Sequence, residues 1–158
     1  MKSRMEKIIK QTLLSAALFT LTITMAFANN GLISVKSSHN VKVTADKLEQ
    51  ILNDKGMTVF VRIDHSAGAK HVGEVLRPTE LIIFGNPKVG TPLMQCSQSA
   101  AIDLPQKALI SQDEKGQVWL TYNSPDYLVK RHNIKGCNEI VTKIETALAN
   151  VSKAATMP

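Results

Sequence analysis

The sequence predicts a single α+β domain, a mostly antiparallel sheet covered by helices. Three observations lead there. Segments with two-residue apolar alternation take turns along the chain with segments of helical spacing. One strand-like segment, Leu81 to Phe84, is apolar at every position and runs into the sharp turn Gly85-Asn86-Pro87. Two further strand-like runs flank Asp113-Glu114-Lys115-Gly116, whose chemistry is that of a hairpin joining antiparallel neighbours.

The chain opens on a segment that does not read as part of this domain. Met1 to Lys10 carries Lys2, Arg4, Lys7 and Lys10 against Glu6, and an apolar run from Leu13 ends in Ala26-Phe27-Ala28. That is the pattern of a cleavable signal peptide over residues 1–28, which addresses the chain to the periplasm or beyond. A spanning helix needs about 20 apolar residues. This run is shorter and includes Ser15, Thr20, Thr22 and Thr24, so no membrane anchor is expected after cleavage. The leader holds four of the 19 basic residues and one of the 13 acids, which leaves 15 bases, 12 acids and a net charge of only +3. The remaining 130 of the 158 residues, from Asn29, suffice for one domain with an ordinary core.

The elements follow in order. Gly31–Lys36 alternates Ile33 and Val35 against Leu32, Ser34 and Lys36, a first strand. Ser37, Ser38 and Asn40 are candidate N-caps for a helix over Val41–Lys55, whose stripe is Val41, Ala45, Leu48, Ile51 and Leu52. Gly56 stops it in the left-handed conformation. Met57–Asp64 alternates again and delivers Asp64 and His65 to its end; Ser66–Gly73 reads as a short helix or turn. Arg77-Pro78-Thr79 interrupts the chain. Leu81–Phe84 is then expected as a central strand buried on both faces. Asn86 caps and Pro87 suits a first helical position, and Thr91-Pro92 repeats the signal. A single helical turn is expected after Pro87, and a better helix over Pro92–Ser99. Lys107–Ser111 and Gln117–Tyr122 form the hairpin, with Trp119 expected in the core. Ser124-Pro125-Asp126 opens a helix to about His132. The last helix carries Ile140, Val141, Ile144, Leu148 and Val151 on one stripe. The domain is expected to span 29–152, with 153–158 as a flexible tail.

Several phrases in this order resemble one family. They are Leu76-Arg77-Pro78-Thr79-Glu80-Leu81, Phe84-Gly85-Asn86-Pro87, Gly90-Thr91-Pro92-Leu93-Met94 and Asp103-Leu104-Pro105. Together they resemble the domain-of-unknown-function 302 family, DUF302. Phe60 to Gly68, with Ile63-Asp64-His65, resembles its secreted members. The resemblance covers about Gly31 to Gly136. It implies a compact α+β domain that self-associates as a homodimer, and it transfers no catalytic residue. Cys96 and Cys137 lie outside the pattern.

Candidate chemistry gathers near the turn. A helix start offers N–H groups to an anion, two glycines let a ligand approach, and Lys88 adds charge. Phe84, Gly85, Asn86, Pro87, Lys88, Gly90 and Thr91 are therefore the candidate ligand-binding residues. Gly85 to Gly90 has no following Lys-Ser or Lys-Thr, so it is not a phosphate loop. Asp64 and His65 form the candidate catalytic pair, with His65 as acid-base and Asp64 orienting it, provided that they converge on the same turn. Adjacent residues on a strand point to opposite faces, and Asp64 is equally suited to cap the next helix. His65, His71, Met94 and Cys96 include soft donors that an exported copper carrier could use, but their spacing arranges no metal site. His39 and His132 read as surface residues.

Other classes find no support. There is no serine in a Gly-x-Ser-x-Gly elbow. Bases are scattered and only seven aromatic residues occur in the chain, which argues against nucleic acid. Cys96 and Cys137 either form a disulfide, closing a loop of about 42 residues worth roughly 4 kcal/mol, or remain two buried thiols. No cofactor is indicated. The expected function is a ligand-binding or interaction module, with an enzyme at the turn or a metal carrier as alternatives.

Overall fold

The computed structural model describes residues 31–158. The expected signal peptide, 1–28, lies outside them. Strand β1 (Leu32–Lys36) is followed by α1 (Val41–Asp54), β2 (Thr58–Asp64), α2 (His65–His71), β3 (Thr79–Gly85) and α3 (Pro87–Cys96). After a 3-10 helix, Gln98–Asp103, come β4 (Gln106–Gln112), β5 (Val118–Asn123), α4 (Pro125–Arg131) and α5 (Asn138–Thr156). The strands form one five-stranded sheet of order β1-β5-β4-β3-β2, antiparallel at every joint.

Register decides which side chains share a face. Phe84 stands opposite Gln106, Ile82 opposite Ala108, and Glu80 opposite Ile110. Ala108 then faces Tyr122, and Ile110 faces Leu120. These residues meet Val41, Ala45, Leu48 and Leu52 of α1, Leu93 of α3, and Ile144, Leu148, Val151 and Ala155 of α5 in one core. Each helix contributes the stripe that its 3.6-residue period puts on one side.

The helices of that core cover one face of the sheet only. Leu81, Ile83 and Leu109 alternate with the core residues, stay half-buried and lie outside the core cluster. β3 is therefore buried on one face, not two. Its unbroken apolar run reflects a second face that is apolar without a helix over it. Trp119 belongs to that bare face and not to the core; its Nε1 donates to Asp113 Oδ2 at 2.8 Å. Two other expectations change. Pro87–Cys96 is a single helix with Pro92 inside it, because Asn86 closes its first turn and Leu93 anchors it in the core. α5 runs on to Thr156 and buries Ala155 and Thr156, so 153–158 is not a free tail. Ser38 N donates to Thr156 O at 2.9 Å and Lys47 Nζ to Met157 O at 2.7 Å, which docks the end against α1. A His39 ring nitrogen lies 2.8 Å from that same Met157 oxygen.

One excursion buries nothing. α2 has no buried residue, and the segment after it leaves Val72 75% and Val75 98% exposed.

Candidate functional site

The turn that ends β3 opens onto a hollow. Phe84, Gly85, Asn86, Pro87, Lys88, Gly90 and Thr91 all line one cavity of about 450 Å³. Met57 and Phe60 close it from the β2 side, and Val89 and Met94 from α3. Ala101, Leu104, Pro105 and Gln106 form the wall leading into β4. The remaining wall is α5, through Ile140, Lys143, Ile144, Ala147 and Leu148. Most of these side chains are apolar, as a pocket for a small molecule requires.

Asn86 builds the turn. Its Nδ2 donates to Gly56 O at 3.1 Å, tying the end of β3 to the loop before β2. Its Oδ1 accepts from Lys88 N, and its backbone oxygen accepts from Val89 N and Gly90 N, all at 2.9 Å. These bonds correct one expectation. The first N–H groups of α3 are already satisfied, so they form neither an anion site nor an oxyanion pocket. A Cβ on Gly90 would meet nothing nearer than Leu104 Cδ1 at 3.9 Å, so that wall stands open.

Cys96 and Cys137 are joined in a disulfide, with 6.5 Å between their Cα atoms. The bond ties the last residue of α3 to the N-cap of α5, and so links two walls of the cavity. It also removes the Cys96 thiolate from the copper-donor set of His65, His71, Met94 and Cys96. No group of three or more His, Cys, Asp or Glu side chains suited to a metal occurs among the described residues.

Asp64 and His65 are not at this hollow. Thr58 pairs with Gly85, whereas Asp64 pairs with Glu80 at the far end of the same ladder. At about 3.4 Å per residue the two ends are on the order of 20 Å apart. Antiparallel pairing makes this unavoidable: the end of β2 lies beside the start of β3. Asp64 instead caps α2, its Oδ1 accepting from Ser66 Oγ at 2.5 Å and Ala67 N at 2.9 Å. Those bonds, the Ser66 hydroxyl first, hold its carboxyl below the usual range. His65 is exposed. Asp64 borders a separate, polar hollow with Arg62, Glu80 and Gln112. There Arg62 is fixed by Glu80 at 2.5 Å, Asp46 at 2.7 Å and Glu49 at 3.2 Å, and its guanidinium is stabilised in the charged form, chiefly by Glu80. A cation so matched is a strut of the fold.

His132 is also not a surface residue. Its ring is 5% exposed, with Nε2 2.6 Å from Asp103 Oδ2 and Nδ1 3.0 Å from Ser99 Oγ. Ser97 Oγ donates to His132 O at 3.0 Å. The hydroxyls, ring and carboxylate all clamp the 3-10 helix to the end of α4. Neither Ser99 nor His132 lines the two cavities just described.

Gln106 and the α5 wall were missed from sequence. The α5 stripe was legible, but only as core. Gln106 precedes Ala108 and Ile110 by two and four positions, so two-residue alternation points it inward once the strand is begun one residue earlier.

A family model described as domain of unknown function DUF302 matches residues 33–151. The chain belongs to the DUF302 family. A solved DUF302 protein from Bacillus stearothermophilus superposes with a TM-score of 0.71 at 21% identity, over 79% of this chain and 98% of that one. Likeness at that identity is likeness of the DUF302 fold alone. Two curated relatives are nearer in sequence. Fluoride-specific ion channel FluC 1 of Brucella suis biovar 1 (strain 1330) is 44% identical over 128 residues, 80% of this chain and 50% of that protein. Fluoride-specific ion channel FluC 2 of Brucella melitensis biotype 1 matches equally, over 47% of its length. This DUF302 chain thus spans about half the length of the curated relatives it matches. Among the described residues no helix is long and apolar enough to cross a membrane.

Proposed function

We propose that this DUF302 domain is a non-enzymatic binding module that takes a small, largely apolar molecule in the hollow at the Phe84–Thr91 turn. One observation carries the reading. Five separate parts of the fold converge on that hollow, and it is walled mainly by apolar side chains. The site works outside the cytoplasm, a reading supported by the leader pattern and by the Cys96–Cys137 bond, which suits an oxidising compartment. The module acts as a homodimer through the bare face of its sheet. The channel activity named for the Brucella relatives belongs to proteins about twice as long as the matched stretch, and it is not part of this proposal.

Titration with an environment-sensitive apolar dye tests the binding site. Ala147 is exposed on α5 yet lines the hollow, so Ala147→Phe fills the space without disturbing the core. The expected result is micromolar dye binding that weakens at least tenfold in the variant.

A further inference from the structure

Three side chains form a hydrogen-bonded relay apart from the hollow. Ser99 Oγ lies 3.0 Å from His132 Nδ1, and His132 Nε2 lies 2.6 Å from Asp103 Oδ2. A carboxylate can only accept, so Asp103 places the ring proton on Nε2. The lone pair of Nδ1 is then left to accept from the Ser99 hydroxyl. A base activates a serine by this division of roles: hydroxyl, imidazole and orienting carboxylate. Here Nδ1 meets the serine, and either ring nitrogen is a base once the other carries the proton.

Burial grades the three groups. The His132 side chain is 5% exposed and that of Asp103 12%, whereas Ser99 is exposed. Water therefore competes little for the ring, while the hydroxyl end of the relay is open to a reagent. The clamp holds without this last bond, because Ser97 Oγ donates to His132 O and Asp103 fixes the ring. Asp103 is itself set by Arg131, whose Nη1 lies 3.5 Å from Oδ1. We infer that Ser99 is an acyl acceptor, a nucleophile that takes the acyl group of an activated ester at the protein surface. Its Oγ bonds to the carbonyl carbon while His132 Nδ1 receives its proton. The bond to the leaving oxygen then breaks, and that oxygen departs with the proton from Nδ1. The product is one acyl ester per chain, and no electrons are gained or lost. His132 is the base, and Asp103 is a positioning residue that acts through it. This capacity goes beyond the binding function proposed for the hollow, which neither Ser99 nor His132 lines.

Treatment of the full chain with p-nitrophenyl acetate, an activated ester, tests this. Peptide mass spectrometry follows each acetylated site over time. Hydroxylamine, which cleaves esters and spares amides, separates serine from lysine acetylation. Wild type is expected to gain one hydroxylamine-labile acetyl group, on Ser99, roughly a hundredfold faster than on its other hydroxyls. Ser99→Ala, at an exposed position, should lose it. His132→Asn and His132→Gln offer an amide in place of the ring but no base, and each should slow Ser99 acetylation roughly a hundredfold. Two variants are made because His132 is buried and one of them can fail to fold. Asp103→Asn should slow the reaction as well, and Asp103→Glu should restore part of the rate, which a purely structural carboxylate would not do. Acetyl groups confined to lysines, or a Ser99 no faster than other hydroxyls, would overturn the assignment. Equal Ser99 rates in wild type and a folded His132 variant would overturn it too and leave the three groups as a clamp only.

Discussion

Single carboxylates hold several turns of this protein. Asp64 caps α2, and Asp113 Oδ1 accepts from Lys115 N and Gln117 N in the hairpin, both at 2.9 Å. The Trp119 indole N–H, on the other oxygen, is the first reason that the Asp113 carboxyl lies below its usual range. Asp46 is lowered too, by Lys42 first and then Arg62. A carboxylate lowered on folding contributes stability above its unfolded value and loses it as pH falls through the folded one. These three groups therefore predict a melting temperature that drops as pH falls below about 3.8, the ordinary value for each. Asp113→Asn cannot titrate and removes part of that slope. Thermal unfolding across the acid range checks this; a melting temperature that holds down to pH about 2 would show these contacts to be energetically silent. At this scale the sequence was readable where chemistry is local. Asn86 as a cap and Gly56 as a stop follow from their neighbours. His132 was not readable, because its partners Ser99 and Asp103 come from a segment about 30 residues away.

Elements were legible where the apolar period is long and undisturbed. α1 and α5 fall where their stripes put them. α3 did not, because two cap-then-proline signals five residues apart suggest two starts, and only the tertiary anchor at Leu93 makes them one helix. The disulfide was left open by sequence for a related reason: whether two cysteines meet depends on where their helices end. In the fold it ties α3 to α5, the two helices that wall the hollow. Replacing both cysteines by serine is expected to lower unfolding free energy by about 4 kcal/mol in the chain-entropy model. Dye affinity should fall with it as the two walls loosen. Urea unfolding measures the first effect, and a change under about 0.5 kcal/mol would mean that the bond constrains little.

For the whole molecule, the fold class was in the sequence and the arrangement was not. Pairing of β1 with β5, and of β2 with β3, sets which loops share an end of the sheet. No local pattern encodes it, which is why Asp64 and His65 could be imagined beside a turn that lies across the sheet from them. The same topology leaves Leu81, Ile83 and Leu109 on a face without helices, while Val61 and Leu32 there are 42% and 44% exposed. The proposed homodimer would use this face, because clustered apolar side chains left uncovered favour association. Light scattering should find twice the chain's mass for wild type, and Ile83→Lys should return a folded monomer. A wild type that stays monomeric at high concentration would remove the dimer.

The binding site is tested most directly by titrating the apolar dye into wild type and Ala147→Phe side by side. Saturable one-site binding by the wild type is expected. The variant should lose it while its unfolding free energy moves by no more than about 0.5 kcal/mol, the helix-propensity difference of the substitution. Equal binding by both proteins, or none by the wild type, would contradict a ligand site at this turn.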